Sequence, residues 1–164
     1  MEQLWAPWRM KYIEYTTIKK ENGCFICKAI ESKNPDECYV VHRTSHTIVL
    51  LNAFPYNTGH LLIAPVKHVA DLSQLLQDDL CDLAITLTKS IELLKSAFNP
   101  DGFNIGMNIG KVAGAGLDTH VHVHLVPRWL GDTNFMPIIS NTKVIPEALS
   151  DTLTRLKKHL EKLS

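Results

Sequence analysis

Hydrophobic and polar residues recur with two different periods along this chain. Residues 39–43 and 47–52 are rich in β-branched and apolar side chains and are separated by Thr44-Ser45-His46, which predicts a hairpin. Residues 52–59 carry Pro55, Asn57 and Gly59 and predict a loop. Residues 60–66 are a short apolar run between Gly59 and Pro65, suited to a buried strand. From about Ser73 the period lengthens. Leu76, Leu80, Leu83, Leu87, Ile91, Leu94 and Phe98 recur at three or four residues, one face of a long helix that Asn99-Pro100-Asp101-Gly102 stops. Residues 103–109 resume as a strand, 111–117 are a Gly/Ala loop, and 119–126 are a further strand ended by Pro127. Pro146 opens a C-terminal helix with Leu149, Leu153, Leu156, Leu160 and Leu163 at helical spacing. Short connections favour antiparallel pairing. The predicted class is α+β: an antiparallel sheet of about five strands, a long helix on one face, and a C-terminal helix.

The 164 residues suit one domain, 1–164. Its parts are an aromatic, basic arm over 1–22 (Trp5, Trp8, Arg9, Tyr12, Tyr15), a core over 24–130 and a C-terminal extension over 131–164. The arm is expected to pack on the domain or on a second subunit. Seventeen Lys and Arg balance seventeen Asp and Glu, which argues against long-range attraction to nucleic acid or an anionic membrane. A local cationic site for phosphate stays open. There is no secretory h-region and no apolar stretch of the ~20 residues that span a bilayer, so the expected compartment is the cytoplasm. Disulfides are rare there.

The strongest chemical signal is His120-Val121-His122-Val123-His124. On a strand, the three imidazoles project to one face and Val121, Val123 and Leu125 to the other. Three histidines in register fill a core poorly, so the spacing points equally to a metal site or to catalysis. The loop Asn108-Ile109-Gly110-Lys111-Val112-Ala113-Gly114-Ala115-Gly116 tips that balance. Small residues let backbone N–H groups close on an anion, which would set phosphate beside imidazole. The bland alternative for the loop is a wide hairpin turn. Cys24-Phe25-Ile26-Cys27 has the spacing of a zinc half-site or a redox pair. Cys38 and Cys81 have no evident partners; Cys81 lies beside the helical stripe and is expected in or near the core. His42, His46 and His159 are expected at the surface.

At these residues the chain resembles the histidine triad family of nucleotide hydrolases and transferases. The family pattern His-φ-His-φ-His-φ-φ, with φ hydrophobic, stands here as residues 120–126, followed by Pro127-Arg128. A second match is Asn52 and, seven positions on, Gly59-His60-Leu61-Leu62-Ile63-Ala64-Pro65. The resemblance covers about residues 24–130. Leu4-Trp5-Ala6-Pro7-Trp8-Arg9 and residues 127–135 are similar to a prokaryotic branch that includes diadenosine tetraphosphate phosphorylases.

The resemblance implies cleavage of a phosphoanhydride through a nucleotidyl-histidine intermediate. His122 would attack the α-phosphorus. His124 and Asn108 would hold phosphate oxygens, with the amides of Gly114, Ala115 and Gly116 beside them. His60 would orient the triad and Asn52 would bind the ribose. Trp129 is a candidate to stack on a base or gate the site, with a purely packed Trp as the equal alternative. The acceptor is phosphate in a phosphorylase and water in a hydrolase. It further implies a structural zinc ion on Cys24, Cys27, His68 and His120, no organic cofactor, and a homodimer. Ala115-Gly116-Leu117 stands where many members carry Gln-Ser or Gln-Thr, which puts side-chain contacts to the leaving phosphate in question. A metallohydrolase holding its metal on the histidine ladder and a nucleotide-binding protein with vestigial catalysis are the competing readings.

Overall fold

The computed structural model describes residues 23–134 and 144–163. The aromatic arm over 1–22 and residues 135–143 of the C-terminal extension lie outside them. Strands β1 (Val40–Arg43), β2 (Thr47–Leu51), β3 (Leu61–Pro65), β4 (Gly102–Met107) and β5 (Val123–Arg128) form one antiparallel sheet in the order β1-β2-β3-β5-β4. Helix α1 (Phe25–Glu31) precedes the sheet, α2 (Gln77–Phe98) links β3 to β4, and α3 (Leu149–Lys157) closes the chain. The α+β class, the long helix and the C-terminal helix agree with the sequence pattern.

Each sheet face has its own core. Val49, Leu51, Leu61, Ile63, Val123 and Leu125 point to one face and pack against Leu83, Leu93 and Leu94 of α2 and Leu153 and Leu156 of α3. Their neighbours Ile48, Leu50, Leu62 and Ala64 point to the other and meet Ile26 and Ala29 of α1. With both faces covered, β2 and β3 are buried at every position, which is why they read as apolar runs instead of alternations. Helix α1 was invisible to periodicity because seven residues are too few to show a stripe. Its first turn is capped by Cys24, whose sulfur accepts the Cys27 N–H at 3.4 Å.

Several boundaries differ from the sequence expectation. β4 ends at Met107 and not at 109, and the C-terminal helix ends at Lys157, with Leu160–Leu163 a separate turn. Tyr39 takes a left-handed φ of 55°, so β1 starts at Val40. Residues 72–74 form a separate single turn, and α2 begins at Gln77. The last strand runs Val123–Arg128, not 119–126, leaving His120 and His122 in the chain just before it. Pro127 does not end β5. Its carbonyl turns away from β4 to accept the Asn57 amide at 3.1 Å, and a strand residue's N–H lies on the same side as its C=O, so proline costs no ladder bond.

The leucine stripe of α2 is also displaced. Leu76 and Leu80 are 68% and 38% exposed. The buried face instead runs Asp79, Leu83, Thr86, Ser90, Leu93 and Leu94. Asp79 turns inward because its carboxylate accepts the Leu76 N–H at 3.1 Å and meets His46 Nδ1 at 2.8 Å. Cys81, expected near the core, is therefore exposed. Gly59 holds the turn into β3 at φ +76°, where a Cβ would lie 3.2–3.3 Å from Leu94, Phe98 and Pro127; only glycine fits both conditions. Among the described residues no helix is long and apolar enough to cross a membrane.

Candidate active site

The sheet brings His60, His122 and His124 together. His124 pairs with Leu62 on β3 and with Gly106 on β4. Two residues before Leu62 on the same side stands His60, fully buried, with Nε2 3.0 Å from His124 Nδ1. The His122 ring meets that of His124 edge-on, centroids 4.9 Å apart. Val121, Val123 and Leu125 are buried, as the alternation required.

The hydrogen bonds set which nitrogen of each ring carries the proton. A carbonyl only accepts, so His122 Nδ1, 2.9 Å from His120 O, donates and Nε2 keeps its lone pair. His60 is the reverse. Its Nδ1 accepts the Tyr56 N–H at 3.1 Å, with Asn52 Nδ2 3.3 Å away, so its proton sits on Nε2 and is donated to His124 Nδ1. His124 then carries its own proton on Nε2. Burial lowers the pKa of His122, and burial with the neighbouring His124 and His122 lowers that of His60 to about 3. Both rings stay neutral at pH 7. A neutral imidazole with a lone pair on one side of the cluster, and an N–H donor on the next ring, can attack an electrophilic centre and hydrogen-bond the charge on what leaves it.

His120 belongs to a second group. Its Nε2 donates to Pro65 O at 2.8 Å, which frees Nδ1 for the sulfurs of Cys24 at 3.3 Å and Cys27 at 3.6 Å. His68 Nδ1 lies 3.1 Å from Cys27 Sγ. All four ligand atoms fall within 4.8 Å of one another. A tetrahedral ion with bonds of ~2.0–2.3 Å holds its ligand atoms roughly 3.3–3.8 Å apart, so the donor set fits one metal ion. Burial, together with Cys24, pushes the Cys27 thiol up to about 11; a cation between the sulfurs would reverse that. His42, His46 and His159 lie outside this group. His46 pairs with Asp79, and His159 Nδ1 meets Ser96 Oγ at 2.8 Å.

The other expected site residues divide. Asn108 lines a groove with His124. Asn52 stands behind His60, and its amide already has two partners within the protein, the Phe54 N–H at 2.9 Å and His60. The amides of Gly114 and Ala115 donate back into their own loop, to Lys111 O at 2.9 Å and Gly110 O at 3.3 Å. In this conformation the loop is a turn, and those two amides do not present themselves to an anion; Gly116 follows them in the same loop. Trp129 lies beyond the end of β5, five residues past His124, and its N–H is held by Asp132 at 3.1 Å.

Three features had escaped the sequence reading. Tyr56 lies over His124 with the rings 21° from parallel and 5.8 Å apart. Phe25 of α1 meets His122 edge-on at 6.4 Å. Asp132 gathers the Arg128 guanidinium, the Asn57 amide and the Trp129 N–H, while Arg128 Nη1 also reaches Asn104 Oδ1 at 2.7 Å. Only the last had a signal in the sequence, the four-residue spacing of Arg128 and Asp132.

The HIT domain model matches residues 18–129. The chain belongs to the histidine triad family. It is 38% identical over 157 residues to the AP-4-A phosphorylase of Mycobacterium tuberculosis, covering 93% of this chain and 80% of that protein. It is 34% identical over 101 residues to the asymmetrical bis(5'-nucleosyl)-tetraphosphatase of Schizosaccharomyces pombe, covering 62% of this chain and 55% of that one. Among solved structures, a hypothetical histidine triad nucleotide-binding protein from Sulfolobus tokodaii superposes with a TM-score of 0.68 at 27% identity, over 85% of this chain and 93% of the other. In this histidine triad protein, then, the first triad histidine stands in the Cys/His group and the other two stand with His60.

Proposed function

We propose that this protein cleaves a dinucleoside polyphosphate such as diadenosine tetraphosphate through a nucleotidyl group on His122, with inorganic phosphate as acceptor. The observation that carries this reading is the 2.9 Å contact of His122 Nδ1 with the His120 carbonyl, which leaves Nε2 as the attacking atom. In the first step Nε2 bonds to the α-phosphorus and the bond from phosphorus to the bridging oxygen breaks. That oxygen leaves with the electron pair, and the His124 Nε2–H donates a hydrogen bond to the charge it gains. In the second step an oxygen of inorganic phosphate displaces His122 Nε2 from phosphorus, releasing a nucleoside diphosphate and restoring the lone pair on Nε2. Likeness to the mycobacterial phosphorylase supports phosphate as acceptor. Water in that role is the alternative, supported by the likeness to the tetraphosphatase.

Within this reading His124 and Asn108 hold phosphate oxygens, and His60 and Asn52 stand behind them. Cys24, Cys27, His68 and His120 hold zinc, which ties α1 to the sheet and takes no part in the reaction. A metallohydrolase with its metal on the ladder is less favoured, because His120 groups with the cysteines and not with His122 and His124. No organic cofactor, nucleic acid or membrane enters the proposal, and the chain works in the cytoplasm as one domain. A homodimer is favoured by β4, an edge strand with Ile105 49% exposed. The test is product analysis of diadenosine tetraphosphate with and without inorganic phosphate. ADP plus ATP formed only with phosphate supports the phosphorylase; AMP plus ATP regardless of phosphate replaces it with the hydrolase.

A further inference from the structure

A groove of about 340 Å³ opens beside His124 on the β4 side, lined by Tyr56, Asn104, Gly106, Asn108, Ala113 and His124. Gly106 pairs directly with His124, and Asn104 with Val126, so these residues form the groove's floor. Gly106 is unusual for a strand. Its φ is not left-handed, and a Cβ built there meets nothing within 4 Å. Among the described residues of one chain, neither backbone nor packing requires glycine there, where it costs roughly 0.5–1 kcal/mol relative to alanine. Such a strand glycine leaves room for the close approach of a ligand or of another backbone. The Asn104 amide is held by its oxygen, which accepts Arg128 Nη1 at 2.7 Å, so its NH2 end is the one offered to a ligand.

We infer that this groove receives the departing part of the substrate, a nucleoside polyphosphate. The inference rests on the reading of His122 as nucleophile. If the His124 Nε2–H bonds to the leaving oxygen, the atoms that follow that oxygen start next to His124, and the open space next to His124 on the β4 side is this groove. Its chemistry suits such a group. Asn104 and Asn108 supply amide donors for phosphate or ribose oxygens. Tyr56, Val126 and Ala113 supply an aromatic plane and apolar walls.

The test fills the groove. Gly106→Val places a β-branched side chain on a strand, where it is tolerated. Single-turnover transfer of AMP to the enzyme, without phosphate, is measured from diadenosine tetraphosphate and from adenosine 5'-phosphoramidate, whose leaving group is ammonia. The variant is expected to lower the rate constant for the first substrate at least tenfold more than for the second. Asn104→Ala is read in the same way, which keeps the test decisive should Gly106→Val melt below the wild type. An equal change for both substrates, or none, overturns the inference. So does a loss confined to the later step with inorganic phosphate, which would make the groove the acceptor's site. A wild-type protein that takes AMP from neither substrate refutes the parent reading instead.

Discussion

His60 Nε2 stands 3.0 Å from His124 Nδ1, and the backbone N–H of Tyr56 closes the other side of His60. This chain fixes the proton of His124 on the nitrogen that would face a substrate. His60→Ala removes the donor and lets His124 take the opposite tautomer. We expect kcat to fall roughly 10–100-fold, by analogy with the loss of a partner that fixes the tautomer of a metal-bound histidine, with little change in KM. His60→Gln, whose amide can still donate, should recover part of kcat. An unchanged kcat in His60→Ala would remove the relay from the mechanism.

Acid should destabilise the fold well before it protonates this site. The His60 pKa is lowered from 6.5 to about 3, so between those values the unfolded chain binds a proton that the folded chain refuses. Stability is full above pH 6.5 and declines as pH falls, by about 1.4 kcal/mol per pH unit for one such histidine. His122 is shifted in the same direction and steepens the decline. Urea unfolding at pH 7, 6 and 5 checks this, and the slope should be shallower in His60→Gln.

If Cys24, Cys27, His68 and His120 hold a metal, its loss should be felt as stability, not chemistry. Cys24→Ala or chelation would remove the tie between His120 Nδ1 and the start of α1, which then rests on the packing of Ile26 and Ala29 alone. A cost of about 3 kcal/mol or more is expected, roughly 6–12 °C in Tm for a chain of this size. Metal content by atomic emission, read beside Tm and activity per folded molecule, distinguishes the outcomes. Full loss of activity in protein that is still folded would favour the metallohydrolase.

Asp132 holds one end of the groove together, and the Arg128 guanidinium beside it keeps its carboxylate far below the usual range. Asp132→Ala strips partners from Arg128, Asn57 and the Trp129 N–H at once. We expect a loss of about 2–3 kcal/mol, from the worth of charge-assisted bonds and the desolvation of the buried Asn57, measured by thermal melting. A variant as stable as the wild type would show these bonds to be incidental.

Much of the fold was legible because both periods are local properties of the chain. The runs at β2 and β3 and the approximate span of α2 could be read from them. The displacement of the α2 face could not, since Asp79 turns inward through its contact with His46, 33 residues away in sequence. The four possible metal ligands were marked by family resemblance, and their convergence depends on Cys24 and Cys27 at the start of α1 meeting His68, which follows β3, and His120, which precedes β5. Tyr56 and Phe25 left no pattern, because one sits within a loop and the other opens a seven-residue helix. The closed Gly114–Ala115 turn depends on backbone dihedral angles that glycine leaves open.

The central claim is the covalent intermediate on His122. Rapid-quench mass spectrometry of the protein mixed with diadenosine tetraphosphate, in the absence of phosphate, tests it most directly. The account predicts one AMP on the peptide that holds residues 120–124, acid-labile as a phosphoramidate and absent from His122→Gly protein that remains folded. Turnover with no adduct on that peptide, or an adduct that persists in His122→Gly, would contradict it.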